Sequence, residues 1–260
     1  MKTDPAVIAR LRAAGCVWAE DEASLLASAA RSPAELDAMV TRRAGGEPLE
    51  QIVGWAEFCG LRVLVDPRVF VPRRRSEFLV SVAVALAPAR GGQAPAIVDL
   101  CCGTGALGLA VASRLGGVEL HAADLDPAAV ACARRNVEPA GGHVHAGDLF
   151  AALPGSLRGR IGVLLCNAPY VPTTEISFMP SEARDHEALV ALDGGTDGLA
   201  VLRRVAATAP AWLAPGGVLL VETSERQAQA MASAMTEAGL TAQVHEDDES
   251  GATVVTGARD

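Results

Sequence analysis

A polar tetrapeptide, Asn167-Ala168-Pro169-Tyr170, follows the apolar residues 163–166 and carries the groups needed to hold a planar NH2 group. A nitrogen conjugated to a carbonyl or an aromatic ring is a poor nucleophile, so an enzyme that alkylates it must fix both N–H bonds. The Asn167 side-chain oxygen can accept one hydrogen. The Ala168 carbonyl can accept the other, because Pro169 favours an extended conformation at Ala168, and Tyr170 offers a flat face for stacking. The tetrapeptide therefore indicates methyl transfer to nitrogen, with an ordinary proline turn as the alternative.

A strand, a glycine turn and a helix lie upstream of the tetrapeptide. Residues 97–100 are typical of a short buried strand, residues 101–105 form a turn of mostly small residues, and the apolar pattern of residues 106–111 predicts a helix. Such a turn lets a ligand lie against the backbone, and the start of the helix presents free N–H groups to an anion. The same stretch also contains the Gly-x-Gly-x-x-Gly pattern of dinucleotide sites, so that interpretation stays open.

Acidic residues follow the next two predicted strands. Residues 118–123 lead to Asp124, whose carboxylate can accept bonds from two ribose hydroxyls in both nicotinamide and S-adenosylmethionine sites. Residues 143–145 lead to Asp148, which can receive an adenine amino group while Leu149 packs on the ring. A loop cap is the alternative role for Asp148. These residues predict a nucleoside site without deciding between the two cofactors.

The order of these motifs resembles the protein-(glutamine-N5) methyltransferases of the HemK type. That family uses S-adenosylmethionine to methylate a glutamine side-chain amide in translation release factors. The similarity extends over residues 46–257, with the family's Asn-Pro-Pro-Tyr signature present as Asn-Ala-Pro-Tyr. The further matching segments are Gly46-Glu47-Pro48-Leu49, Val71-Pro72-Arg73 with Glu77, Glu187, Gly194-Gly195, Asp197-Gly198-Leu199 and residues 213–222. The resemblance implies S-adenosylmethionine as cofactor and a protein as substrate.

The motifs and the resemblance together predict the site. The predicted catalytic residues are Asn167, Ala168, Pro169 and Tyr170. The predicted substrate-binding residues are the same four with Arg73 and Glu187, although the sequence leaves open whether Glu187 lines the substrate mouth or caps a local turn. The predicted cofactor-binding residues are Asp99, Cys101, Cys102, Gly103, Thr104, Gly105, Asp124, Leu125, Asp148, Leu149 and Asn167. No metal site is expected, because His143 and His145 lack a third ligand at a telling spacing.

Several residues depart from the family pattern. Ala168 replaces the first signature proline, and the loss of the rigid ring adds an ordering cost on the order of 0.4–1 kcal/mol. Cys101 replaces a loop glycine, which predicts that this position does not adopt a positive φ. Arg74-Arg75-Ser76 replaces a more proline-rich and acidic stretch. The amino-terminal region is shorter than in the family, which leaves the identity of the protein target open.

Length and composition favour a cytoplasmic enzyme. The chain has 260 residues, half of them apolar, which is enough for a full core. Its six cysteines are scattered without metal-binding spacing and are expected to be reduced. The amino terminus lacks the basic flank and sustained apolar run of a signal peptide. The longest apolar stretch, residues 78–89, is well short of the roughly 20 residues that a membrane span requires.

Charge is divided unevenly along the chain. Residues 1–95 carry 12 Lys/Arg and 11 Asp/Glu, a net charge of +1, whereas residues 96–260 carry 10 and 20, a net charge of −10. An enzyme acting on nucleic acid normally has a basic face that neutralises phosphates. The acidic charge of residues 96–260 therefore argues against nucleic acid as the direct substrate. The run Arg73-Arg74-Arg75 is interpreted as a solvated linker or as a contact to an acidic protein partner.

The chain is predicted to have an α/β fold with three parts. Residues 1–45 form a helical substrate-recognition domain, residues 46–75 a β-hairpin linker, and residues 76–260 a Rossmann-like methyltransferase domain. Within the linker, Ile52-Val53 and Val69-Phe70 are predicted as short strands. Ser32 to Glu35 form a predicted capping box. A helix through residues 199–213 is expected to kink at Pro210.

Three other functions remain open from the sequence. A nucleic-acid adenine-N6 methyltransferase would use a related tetrapeptide. A nicotinamide oxidoreductase would use the same glycine turn but gives no reason for residues 167–170. A non-catalytic interaction module of the same fold would account for the altered signature. The sequence does not indicate the oligomeric state.

Overall fold

A computed structural model of the chain describes residues 4–87 and 96–260. Helices and strands alternate through most of this range. The α-helices are α1 (Pro5–Ala13), α2 (Ala19–Ala29), α3 (Pro33–Ala44), α4 (Leu49–Val53), α5 (Glu77–Leu86), α6 (Ala106–Leu115), α7 (Pro127–Val137), α8 (Ser181–His186), α9 (Ala200–Thr208) and α10 (Glu225–Glu237). The strands are β1 (Trp55–Phe58), β2 (Leu61–Leu64), β3 (Ala96–Leu100), β4 (Glu119–Asp124), β5 (His143–Ala146), β6 (Ile161–Cys166), β7 (Leu213–Thr223), β8 (Thr241–Asp247) and β9 (Ala252–Ala258).

A seven-stranded sheet in the order β5-β4-β3-β6-β7-β9-β8 forms the centre of the fold. The first five strands in this order run parallel, and β9 pairs antiparallel with both β7 and β8. Strand order reverses beside β3, where the carboxyl ends of β3, β4 and β6 meet at one edge. The predicted Rossmann-like α/β fold is confirmed, and its last two strands, β8 and β9, form an antiparallel pair.

Both faces of the sheet are covered. All five residues of β3 are buried. Val98 packs in the same cluster as Trp212 on one face, whereas Ile97 packs in the same cluster as Leu79 on the other. A strand that is buried on both faces is mostly apolar along its whole length and does not alternate between apolar and polar residues. β3 and β6 are mostly apolar in this way.

The helices α1 to α4 form a separate small core around Leu11, Leu26, Val40 and Ile52. Helix α3 begins at a half-formed capping box, since the Ser32 side chain accepts a bond from the Glu35 N–H at 3.2 Å. The Glu35 carboxylate accepts instead from the N–H of Arg31 at 2.8 Å. The predicted reciprocal box is therefore wrong in its second bond. The three-part domain division remains a prediction.

The predicted β-hairpin is confirmed as β1 and β2, which pair antiparallel across the turn Cys59-Gly60. The predicted strand at Ile52-Val53 is wrong, because these residues end helix α4. Their apolar side chains pack on the amino-terminal helices, and that packing overrides their β-branched preference for strands. No strand forms at Val69-Phe70 either, and Val69 N–H closes a turn on the Asp66 carbonyl at 3.1 Å.

The stretch from residue 171 to residue 198, here called the insertion, follows the tetrapeptide and contains α8. Arg43 on α3 connects it to the amino-terminal helices, because the guanidinium donates to Glu22 at 2.6 Å and to Glu182 at 3.0 Å. Gln51 adds bonds to the carbonyls of Val69 and His186 at 3.0 and 3.5 Å. Helices α1 to α3, here called the helical unit, are therefore connected by polar contacts to the linker of residues 46–75 and to the insertion.

Helix α9 stops at Thr208, and residues 209–211 form a single 3-10 turn. The prediction of one helix kinked at Pro210 is therefore wrong, since proline ends the α-helix instead of bending it. The last two residues of the apolar stretch 78–89 lie outside the described residues. No described helix is both long and apolar enough to cross a membrane.

Candidate active site

A cavity with a volume of about 230 Å³ opens at the sheet edge where β3, β4 and β6 end. It brings together most of the predicted site residues. Those lining it are Arg73, Cys101, Cys102, Gly103, Thr104, Asp124, Leu125, Asp148, Leu149, Asn167, Ala168, Pro169 and Tyr170. Asp99, Gly105 and Glu187 are not among the residues that line the cavity.

Every second residue of the glycine turn adopts the left-handed conformation. The φ angles are 55° at Cys101, 55° at Gly103 and 78° at Gly105. The prediction that Cys101 avoids a positive φ is therefore wrong. The chain must turn sharply after β3 to start α6, and this turn, tied by Cys102 N–H to the Ala123 carbonyl at 3.1 Å, requires that conformation even of a cysteine.

Asp99 supports this turn from below. It is fully buried, and one carboxylate oxygen accepts the N–H of Gly108 in α6 at 2.8 Å. The other oxygen is buried without a partner among the described residues. Burial raises the pKa of Asp99 to about 8, opposed by the Gly108 bond and reinforced by nearby Asp124. These contacts position the turn, and direct contact of Asp99 with a cofactor stays a prediction.

Asp124 faces the cavity from the end of β4. Its two oxygens accept the N–H groups of Gly103 at 2.8 Å and Asp126 at 2.9 Å. Burial raises the pKa of Asp124, although these backbone bonds oppose the rise. Each oxygen retains capacity for a second hydrogen bond. The carboxylate is therefore placed to receive hydroxyl donors, as expected for a ribose.

The far side of the cavity is formed after β5. Asp148 accepts a bond from the Arg204 guanidinium at 2.6 Å, a partner that the sequence analysis missed. Leu149 is nearly buried and has a φ of 48°, which turns the chain so that its side chain joins the cluster containing Phe150. A polar edge next to an apolar surface suits a purine ring.

Asn167 and Ala168 of the tetrapeptide line the cavity, and each carries an oxygen acceptor. Asn167 Nδ2 donates to Ser76 Oγ and to Glu222 Oε2, each at 3.4 Å. No described residue donates to Asn167 Oδ1 or to the Ala168 carbonyl. A ligand that offers two hydrogens on one nitrogen would satisfy both oxygens.

Tyr170 is held by a charged pair. Its hydroxyl donates to Glu222 Oε1 at 2.9 Å and accepts from Arg75 Nη2 at 2.6 Å, while Arg75 Nε donates to the same carboxylate at 3.1 Å. Burial and the charge of Glu222 raise the pKa of Tyr170, which keeps the phenol protonated. The roles of Arg75 and Glu222 were not predicted from the sequence, where their only signals are the arginine run and an acidic residue near a strand end.

Arg73 and Glu187 lie next to this network. The Glu187 carboxylate is buried and accepts from the N–H of Val71 at 3.2 Å and from Arg73 at 2.6 Å. Glu187 thus joins the insertion to the linker, and its two suggested roles stay predictions. The interpretation of the arginine run as a solvated linker is wrong for Arg73 and Arg75, which form ion pairs with buried carboxylates.

Two glycines of the insertion support the tetrapeptide from behind. A Cβ added to Gly198 would lie 2.2 Å from the Tyr170 carbonyl oxygen, and one added to Gly194 would lie 2.7 Å from that of Pro169. Gln227 donates to the same Tyr170 carbonyl at 2.8 Å. This close backbone approach explains why glycines occur at these positions.

The histidines of β5 lie away from the cavity lining. His145 Nε2 is 2.9 Å from Nδ1 of His121 on β4, and the His143 ring centroid is 5.0 Å from that of His121. No group of three or more His, Cys, Asp or Glu side chains within residues 4–87 and 96–260 could hold a metal ion.

Comparison with known proteins shows what these residues belong to. Residues 69–184 match the family model "Methyltransferase small domain". The chain is 40% identical over 189 residues to the release factor glutamine methyltransferase of Streptomyces coelicolor, an alignment that covers 73% of this chain and 67% of that protein. It is 37% identical over 214 residues to the enzyme of the same name from Geobacter sulfurreducens, covering 80% and 73%. The chain belongs to the release factor glutamine methyltransferase family. The HemK-type resemblance is thereby confirmed.

Two other similarities add to this result. The 4-amino-L-phenylalanine/4-methylamino-L-phenylalanine methyltransferase of Streptomyces pristinaespiralis is 38% identical over 191 residues, covering 72% of this chain and 65% of that protein. The 16S rRNA N2 G1207 methyltransferase of T. thermophilus, solved with AdoMet and guanosine, shares the fold with a TM-score of 0.54 at 20% identity, covering 79% of this chain and 50% of that one. The predictions of an S-adenosylmethionine-dependent methyltransferase and of its class I fold are confirmed.

Proposed function

We propose that the protein transfers a methyl group from S-adenosylmethionine to the side-chain amide nitrogen of a glutamine in a protein, with a translation release factor as the target. The observation that carries this proposal is the pair of oxygen acceptors, Asn167 Oδ1 and the Ala168 carbonyl, which lack donors among the described residues and belong to two residues that line the cavity. A primary amide offers two hydrogens on one planar nitrogen, and these match the two acceptors.

The residues present fit the cofactor. Asp124 retains capacity to accept ribose hydroxyls, the turn of residues 101–105 presents backbone to the methionine part, and Asp148 with Leu149 forms a polar and apolar edge for adenine. When bound, S-adenosylmethionine supplies an electrophilic methyl carbon on a sulfonium. Asp124 can hold the ribose through charge-assisted hydrogen bonds, which are stronger than neutral ones.

The tetrapeptide acts on the acceptor nitrogen. Asn167 and Ala168 fix the two N–H bonds, which directs the nitrogen lone pair along a single line. Tyr170, held by Arg75 and Glu222, packs beside the amide and excludes water. Orientation and desolvation of this kind account for large rate enhancements without a strong base. The proton leaves after transfer, from the alkylated nitrogen to a carbonyl oxygen or water.

Surface features support a protein target. The insertion exposes Phe178, Leu189 and Val190, with side chains that are 86%, 62% and 51% exposed, and Val190 also lines the cavity. An apolar rim of this kind suits a polypeptide better than a phosphate backbone. We place the helical unit of α1 to α3 on the target-recognition side, since Arg43 joins it to the insertion. The cytoplasm, where release factors act, is the proposed location.

The test is methylation of purified release factors encoded in the same genome. The chain is incubated with methyl-labelled S-adenosylmethionine and each factor, and the modified residue is mapped by mass spectrometry. We expect one methyl group on a glutamine side chain. A parallel reaction contains 4-amino-L-phenylalanine, because a relative named for that substrate is 38% identical. Label on the free amine alone, or on a residue other than glutamine, would refute the proposal.

A further inference from the structure

Glu222 lies at the cavity end of β7 and takes no direct part in the proposed transfer. Its side chain is only 2% exposed, and it forms an ion pair with Arg75, whose side chain is 49% exposed. One carboxylate oxygen, Oε1, receives the Arg75 guanidinium and the Tyr170 hydroxyl. The other, Oε2, lies 3.4 Å from Asn167 Nδ2. The two oxygens therefore have different partners.

The orientation of the Asn167 amide decides whether the tetrapeptide can hold a substrate N–H. Rotation by half a turn about the last side-chain bond would exchange Oδ1 and Nδ2 with little change in shape. In that orientation the Asn167 NH2 group would face the NH2 group of the substrate. Both groups are hydrogen-bond donors, so no hydrogen bond could form between them. The protein therefore needs a group that distinguishes the two ends of the amide.

Glu222 is the contact that can distinguish them. A carboxylate accepts hydrogen bonds and donates none, so Oε2 favours Nδ2 and opposes Oδ1. Ser76 Oγ, also 3.4 Å from Nδ2, is a hydroxyl that can donate or accept, and it therefore does not select an orientation. Among the described contacts of Asn167, the carboxylate alone has a fixed polarity.

Arg75 makes this arrangement possible. A buried carboxylate without a cationic partner is costly and tends to take up a proton, which would turn it into a donor. Arg75 and Tyr170 both donate to Oε1, which leaves Oε2 directed at Asn167. Arg75 precedes Glu222 by 147 positions in the chain.

We propose that Glu222 is the positioning residue that orients the Asn167 amide, with Arg75 holding its carboxylate in place. This inference rests on the proposed function, in which Asn167 Oδ1 receives a substrate N–H. Glu222 acts through Asn167 and touches no reacting atom. The specific variant is Glu222→Gln, which keeps the shape but can donate to Asn167 Oδ1.

The first experiment reads the amide directly and needs no methyl acceptor. The side-chain NH2 signals of Asn167 are assigned in 15N-filtered NMR spectra by their loss in Asn167→Asp. In Glu222→Gln we expect these signals to shift and their hydrogens to exchange faster with water. Glu225→Gln is the matched control, because it removes an exposed carboxylate three residues away and should leave both unchanged. Unchanged Asn167 signals in Glu222→Gln would overturn the proposal.

The second experiment is a double-mutant cycle on turnover, with a purified release factor as acceptor. Glu222→Gln should lower kcat about 10- to 100-fold with an unchanged Kd for S-adenosylmethionine. Adding it to Asn167→Ala should cause no further loss, because the residue it positions is gone. Losses that multiply in the double variant would show a general structural role and contradict the inference.

A thermal unfolding curve for each variant identifies loss of folding. If Glu222→Gln is unfolded, Arg75→Gln replaces it, at a half-exposed position, and should cause the same shift of the Asn167 signals. A wild-type chain that methylates no glutamine would refute the proposed function alone. The NMR result would still decide whether Glu222 orients the amide, so the two failures are distinguishable.

Discussion

The cofactor side and the acceptor side of the cavity are built in different ways. On the cofactor side, the hydrogen bonds that shape the turn join residues close in sequence, since Asp99 and Gly108 are 9 positions apart and Gly103 and Asp124 are 21. On the acceptor side, Arg75 and Glu222 are 147 residues apart. The cofactor side depends mostly on local backbone geometry, whereas the acceptor side depends on contacts between segments that are distant in sequence.

This difference has a consequence for mutation. A change on the cofactor side should alter cofactor affinity while the tetrapeptide keeps its supports, because the two sets of hydrogen bonds share no residue. A change on the acceptor side should leave cofactor affinity intact and remove turnover. Four substitutions test this separation.

Asn167→Ala should have the largest effect. The variant loses one of the two acceptors that we propose orient the nitrogen, and the loss of one oriented contact of this kind commonly costs about 100- to 1000-fold in kcat. The Kd for S-adenosylmethionine, measured by titration calorimetry, should stay within about twofold of wild type. Turnover equal to wild type would remove Asn167 from the mechanism, and a large loss of cofactor affinity would break the comparison.

Gly198→Ala should destabilise the acceptor side from behind. The φ of Gly198 is 78°, and the added Cβ would lie 2.2 Å from the Tyr170 carbonyl oxygen. Strain and overlap together should lower the free energy of unfolding by about 3 kcal/mol. Gly251→Ala is the matched control, since it has a φ of 66° with no atom within 4 Å and should cost about 1–2 kcal/mol. Equal losses in urea denaturation would mean that the overlap is relieved.

Asp124→Asn tests the cofactor side. Loss of the charge should weaken the hydrogen bonds to the ribose and raise the Kd for S-adenosylmethionine about 10- to 100-fold. The Asn167 NMR signals described above should not move, because Asp124 shares no contact with the tetrapeptide network. Asp248→Asn, an exposed change of the same type, serves as control. A displaced Asn167 signal would show that the two sides are coupled.

Asp99→Asn should have the smallest effect on turnover, because Asp99 does not line the cavity. Because burial raises the pKa of Asp99 to about 8, from about 3.9 in an unfolded chain, unfolding releases a proton between those pH values. The free energy of unfolding of the wild type should therefore fall as pH rises from about 4 to about 8, by at most about 1.4 kcal/mol per pH unit from this residue. Denaturation at several pH values should show a flatter dependence in the variant. An identical slope would contradict the raised pKa.

The sequence was sufficient for the local parts of the site. The glycine turn, Asp124 and the Asn-Ala-Pro-Tyr tetrapeptide each follow a recognisable strand, and parallel strands place their carboxyl ends at one edge. Their positions could be predicted from the sequence, because the position of each depends only on the strand that it follows. The hairpin of β1 and β2 was also predictable, since Gly60 marks its turn.

Other features were beyond prediction for physical reasons. Glu222 and Arg75 come into contact only when β7 packs beside the segment before α5, and no spacing in the sequence indicates that contact. Cys101 adopts a left-handed conformation because the turn demands it, against the usual preference of its side chain. Ile52 lies in a helix because its packing against the amino-terminal core outweighs its local preference.

The ion pairs of Arg43 link the amino-terminal helices to the insertion, two regions that lie far apart in the sequence. The guanidinium is largely shielded from water and binds Glu22 in the helical unit and Glu182 in the insertion. Neither region can shift far without separating these charges. The helical unit is therefore coupled to the segment that lines the cavity, although the two lie far apart in the chain.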